Sequence, residues 1–219
     1  MSKFKIKTSA CCSNQPINRV PGTHMQKILQ RVSVALQKFM AASTSPGQDC
    51  YKHAVFAQSL LTRLGVVDTK VVVGFAAWRI GNGDGDVIAH HPALVGHGTG
   101  CMYHTWLEIG KNILDFTTYQ LQLKAAMMDA IDGLETDVLW CPEYLYVPKT
   151  SASPFNFVRD KHAGLYHYRF DASTEAMVRP AAEPADPADI EQLLQIYQNP
   201  DAQVHVLLNS DEYIEDLAA

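Results

Sequence analysis

Cys50 stands where an apolar helix is expected to begin, so its thiol faces unpaired backbone N–H groups and the positive end of the helix dipole. That setting favours the thiolate, the form that attacks an acyl carbonyl. Asp49 beside it opposes a second negative charge, and a cysteine facing the core is as readily inert packing. His104 and Asp115 could supply a base and a group to orient it. Both fall on an expected β-hairpin. With Gly110-Lys111 as a two-residue turn, Ile109 pairs with Asn112, Leu107 faces Leu114, Trp106 faces Asp115 and His104 faces Thr117. His104 and Asp115 then share one face as diagonal neighbours within side-chain reach. A turn at Lys111-Asn112 sets Asp115 against Glu108, and a three-residue loop sends His104 and Asp115 to opposite faces. One register alone builds the pair.

The elements around these residues follow from pattern. Ile28, Val32, Ala35 and Phe39 give a helix over about 23–42, ended by Ser43-Thr44-Ser45-Pro46-Gly47. Ala54, Ala57, Leu61 and Leu64 mark a buried helix from Cys50 to Leu64, with Asp49 as N-cap and Gly65 closing it. Residues 69–78 are β-branched and aromatic, hence a strand. The Gly81–Asp86 run is a turn, residues 87–89 a short strand and 91–100 a loop. The hairpin strands are 103–109 and 113–117, and a helix is expected over 121–129 with Met127-Met128 in the core. Pro142, Pro148 and Pro154 limit 139–157 to loops and at best an edge strand. Residues 165–170 alternate as a strand, 179–187 form a linker, and Asp186-Pro187 opens a helix to about 198.

The order Cys50-Tyr51-Lys52-His53-Ala54 through Leu64-Gly65-Val66, then Val71-Val72-Val73-Gly74-Phe75, His104-Thr105-Trp106 and Leu114-Asp115-Phe116-Thr117 resembles the transglutaminase-like superfamily, which shares the papain-like fold. The resemblance spans Gln48 to Thr117; Phe116 stands where the family often has proline. It implies an α+β papain-like fold, a central helix bearing Cys50 packed on an antiparallel sheet. It also implies roles: Cys50 as nucleophile, His104 as base and then acid, Asp115 as orienter of the imidazole. The Cys50 backbone N–H and the Gln48 side chain would donate to the oxyanion, with Trp106 beside the substrate. The expected reaction is hydrolysis of a peptide-like or small amide substrate. Acyl transfer to an amine, as in transglutaminases or arylamine acetyltransferases, uses the same triad. No cofactor is implied.

Two other readings stand beside this one. Cys50-x-x-His53 and Cys101-x-x-His104, with His90, His91 and His97 nearby, could offer four N/S ligands to zinc. A non-catalytic binding domain could also keep the fold, since fold does not fix function. Composition narrows the classes. From Pro180 onward there are nine acids and no Lys or Arg, leaving 14 of the 23 acids against all 18 bases in residues 1–179. No basic cluster with interleaved aromatics suggests nucleic acid, and no long apolar run suggests a membrane. Five scattered cysteines, Cys11 and Cys12 among them, form no disulfide framework, which points to the cytoplasm. Residues 1–179 are expected to form one domain, and 180–219 an acidic linker with a helical appendage packed on it.

Overall fold

The computed structural model describes residues 24–41, 49–90, 102–133, 135–160, 162–182 and 184–201. Within them the chain forms α1 (His24–Met40), α2 (Cys50–Arg63), β1 (Thr69–Arg79), β2 (Val87–His90), β3 (His104–Ile109), β4 (Asn112–Asp115), α3 (Leu121–Asp132), β5 (Leu145–Pro148), α4 (Phe155–Asp160), β6 (Tyr166–Phe170), α5 (Ala172–Ala181) and α6 (Pro187–Gln198). The class is α+β, with an antiparallel sheet ordered β2-β1-β3-β4-β5 and β6 joined to β1.

The long strand β1 organises this sheet. Gly74 pairs with both His104 and Phe170, and residues 76–78 pair with both β2 and β6. A strand has two edges, so β6 takes one while β2 and β3 lie end to end on the other. Gly74 has no room for a side chain, because a Cβ there would strike the Arg169 carbonyl oxygen and approach Phe170 Cα to 2.9 Å.

Burial explains the layering. Val71 of β1, Leu107 of β3 and Leu114 of β4 share a face covered by Ala54, Ala57, Leu60 and Leu61 of α2, with Leu29, Val32 and Leu36 of α1 behind them. Ile190, Leu193 and Ile196 bring α6 onto the same core. Each fully buried leucine or isoleucine contributes on the order of 1.5–3 kcal/mol. The other face is aromatic: Val72, Trp106 and Ile113 form one cluster, Ala76, Trp78, Ile80 and Ile88 another, which Leu121 and Ala125 of α3 cover.

The hairpin takes the expected register, with Ile109 opposite Asn112 and Leu107 opposite Leu114. β4 ends at Asp115, however, so Thr117 lies beyond the strand rather than across from His104. Three further expectations need correction. Met127 and Met128 are 41% and 44% exposed, because α3 turns Leu121, Lys124 and Ala125 inward instead. Helix α5 takes in residues 179–181, the start of the stretch read as linker; Asp171 caps it by accepting from Thr174 N–H at 2.8 Å, and Pro180 falls in its last turn. Residues 155–157, read as the end of a loop, open the short α4. No helix among the described residues is long and apolar enough to cross a membrane.

Candidate functional site

Cys50 opens α2 on its buried stripe and is 4% exposed. Asp49 occupies the N-cap position but makes no side-chain capping bond. Its carboxylate turns to His53 Nδ1 at 3.3 Å and accepts from Gln120 Nε2 at 3.2 Å. The cap expected of Asp49 is thus replaced by a buried polar cluster.

His104 is fully buried at the start of β3. Its Nε2–H donates to Asp115 Oδ2 at 2.8 Å, across the hairpin. Asp115 is tied down further: Oδ1 accepts from Thr117 N–H and from the Thr117 hydroxyl, both at 2.8 Å, and Oδ2 accepts from the Tyr168 hydroxyl at 2.7 Å. The Tyr168 hydroxyl in turn accepts from Trp78 Nε1–H at 2.8 Å. Burial alone would push the Asp115 carboxyl up, but the charge and hydrogen bond of His104, helped by Tyr168 and Thr117, hold it well below the usual carboxylate range. Burial and the Asp115 charge push the Tyr168 phenol far up, so it stays a donor.

The other ring nitrogen of His104, Nδ1, is buried with no hydrogen bond of standard geometry, and it is the Cys50 thiol that couples to this ring. Burial opposes the thiolate. Hydrogen bonding to His104 and its charge outweigh that, joined by the charge of Lys124 and a backbone hydrogen bond from Thr105, and the thiol is lowered. Burial likewise opposes imidazolium, yet Asp115 and then Cys50 carry His104 above its ordinary value. The two shifts favour a thiolate–imidazolium pair.

Aromatic rings wall the imidazole. Trp78 meets it edge-on at 4.7 Å, His90 does so at 5.4 Å, and Trp106 stacks at 6.2 Å. Trp106 is 2% exposed and packs on His104. His90 donates from Nδ1 to the Tyr103 carbonyl at 2.9 Å; burial, then the charges of Lys124 and His104, lower it to about 3.

Cys50, His104, Asp115 and Trp106 therefore come together, while Gln48 lies outside the described residues. So do Cys11, Cys12, His91, His97 and Cys101, which the zinc reading draws on in part. Among the described residues no group of three or more His, Cys, Asp and Glu is arranged to hold a metal ion. Both His53 nitrogens are engaged, Nδ1 by Asp49 and Nε2 by the Tyr119 hydroxyl at 2.9 Å. Tyr168, Trp78 and Lys124 were not anticipated. Lys124 carried a signal, being a lysine between Leu121 and Ala125 on the inward stripe of a helix.

No family model matches the chain, and no curated protein matches it. A crystal structure solved as a genomics target is similar, with a TM-score of 0.53 and 19% identity, over 80% of this chain and 78% of that one. A likeness at that identity bears on the fold alone, and it agrees with an α+β architecture.

Proposed function

We propose that the chain is a cysteine-dependent hydrolase of papain-like, transglutaminase-related fold, acting on a peptide-like or amide bond from a reduced, cytoplasmic setting. One observation carries this reading: His104 spends Nε2 on Asp115 at 2.8 Å, leaves Nδ1 without another hydrogen-bond partner among the described residues, and couples to the buried Cys50 thiol. That is the division of labour a general base needs.

The Cys50 sulfur attacks the carbonyl carbon, forming an S–C bond. The negative charge that develops on oxygen sits by the start of α2, where the Cys50 N–H is free of an intrahelical partner; Gln48 is a second donor in this reading. His104 passes its Nδ1 proton to the leaving nitrogen or oxygen as the C–N or C–O bond breaks. Water then attacks the thioester, giving its proton to His104 and releasing the acid and the thiolate. Asp115 keeps its charge throughout, fixes the tautomer and stabilises imidazolium.

The test is acylation of the full chain by activated esters and peptide anilides, read as an adduct on Cys50 by peptide mass spectrometry. Wild type is expected to acylate at Cys50 and turn over, and Cys50→Ala to do neither. Labelling spread evenly over the cysteines, and unaffected by His104→Gln, would sink the proposal.

A further inference from the structure

Lys124 is 7% exposed, on the inward stripe of α3 between Leu121 and Ala125. Its Nζ is buried without a hydrogen-bond partner among the described residues. It lies 5.5 Å from the centre of the Trp78 ring, the indole that meets His104 edge-on at 4.7 Å. One ring thus lies between an ammonium without a hydrogen bond and the imidazole of the site. Lysines usually carry the ammonium to water along a flexible stem, and buried charges are normally paired.

No nearby carboxylate hydrogen-bonds Nζ. Asp115 is engaged by His104, Tyr168 and Thr117, and Asp49 by His53 and Gln120. Segments 42–48 and 91–101, the undescribed stretches nearest the site in sequence, contain no Asp or Glu. Burial pushes the Lys124 amine down, and the charges that draw it back up are those of Cys50, then Asp115 and Asp49. Acylation consumes the Cys50 charge, because the thioester sulfur is neutral. The ammonium then loses the largest of its counter-charges, with no hydrogen bond to replace it unless the acyl group brings one.

We infer that Lys124 recognises an anionic group, a carboxylate, carried by the acyl donor close to its scissile carbonyl. The inference rests on Cys50 being the nucleophile and adds the class of donor. His90, the other basic ring beside His104, donates to a backbone carbonyl and does not replace the ammonium. Lys124 is a specificity residue in this account, and Cys50 and His104 carry the bond making.

The test sets equimolar iodoacetate against iodoacetamide on the full chain and reads the ratio of carboxymethyl to carbamidomethyl Cys50 by mass spectrometry. Both reagents consume the same thiolate, so the ratio is blind to any change in its population. The ratio is expected to fall about fivefold or more in Lys124→Met and to be largely kept in Lys124→Arg. An unchanged ratio in Lys124→Met overturns the inference. If that variant does not fold, Lys124→Gln takes its place. Wild type should also acylate faster from a succinyl than from a butyryl thioester, and equal rates overturn the inference. Failure of the hydrolase proposal looks different: a Lys124-dependent alkylation ratio with no acyl-enzyme from any donor. A Cys50 that neither reagent modifies overturns both.

Discussion

Two histidine–aspartate pairs flank the start of α2, and both are buried. His53 bonds Asp49 one helical turn away, and His104 bonds Asp115 across a hairpin. Each histidine has 0% exposure. They differ in what is left over. In the first pair Nδ1 donates to Asp49 and Nε2 accepts from the Tyr119 hydroxyl, so both ring nitrogens are engaged. Burial, then the Asp49 charge, raises that phenol to about 12 and keeps it a donor. In the second pair one nitrogen is spent and the other has no hydrogen-bond partner among the described residues, while the ring couples to the Cys50 thiol. A carboxylate and burial fasten a ring; an uncommitted nitrogen makes it a base.

The strongest way to break this comparison is to remove each ring. His104→Gln is expected to cut the rate of Cys50 acylation by about 10²–10⁴-fold, and His53→Gln to cut it by less than about tenfold. Stopped-flow acylation of the two variants decides, and equal losses would erase the distinction.

Asp115→Asn comes next, with an expected loss of about 10²–10⁴-fold and a displaced pH profile. Asp115 raises His104, and the imidazolium lowers Cys50. The ion pair therefore exists above the lowered thiol value and below the raised imidazole value. Removing the carboxylate charge brings His104 down and lets Cys50 rise. The acid limb of iodoacetamide labelling should move to higher pH in the variant; an unmoved limb would mean that Asp115 does not act through the ring.

Tyr168→Phe sharpens the comparison at smaller scale. It takes one donor from Asp115 and strands Trp78 Nε1–H, costing about 1–3 kcal/mol of stability, with acylation slowed about tenfold. Denaturant melts and acylation rates should fall together. Tyr119→Phe is the smallest: it leaves His53 Nε2 without its donor, at about 1–2 kcal/mol, and acylation stays within about threefold. A rate loss there as large as that of Tyr168→Phe would bring the first pair into the chemistry.

The sequence made legible what is local. The hairpin register follows from Gly110, whose φ is 55°, and from Leu107 and Leu114 needing one buried face. The start of α2 follows from its apolar stripe. What stayed hidden depends on partners far away in the chain. Residues 165–170 alternate visibly, yet nothing local says that β6 pairs with β1 and delivers Tyr168 to Asp115. Asp49 looked like a cap because capping is a local rule, and the buried His53 and Gln120 claimed its carboxylate instead. The α3 periodicity was visible, but Met127 and Met128 drew attention as the larger apolar side chains while Lys124 held the inward position.

Gly74 has no side chain to offer the site, but it sets the spacing between the strands that carry it. Phe170 closes against it on one edge and His104 pairs with it on the other, so β6 is clamped to β1 at the level of the hairpin's first residue. A methyl group there would act as a shim, prying β6 outward and drawing the Tyr168 hydroxyl off the carboxylate on β4. The grip on the buried His104–Asp115 pair is thus adjustable from a position with no functional group at all, and a Gly74→Ala chain with an undisturbed Tyr168–Asp115 bond would refute that leverage.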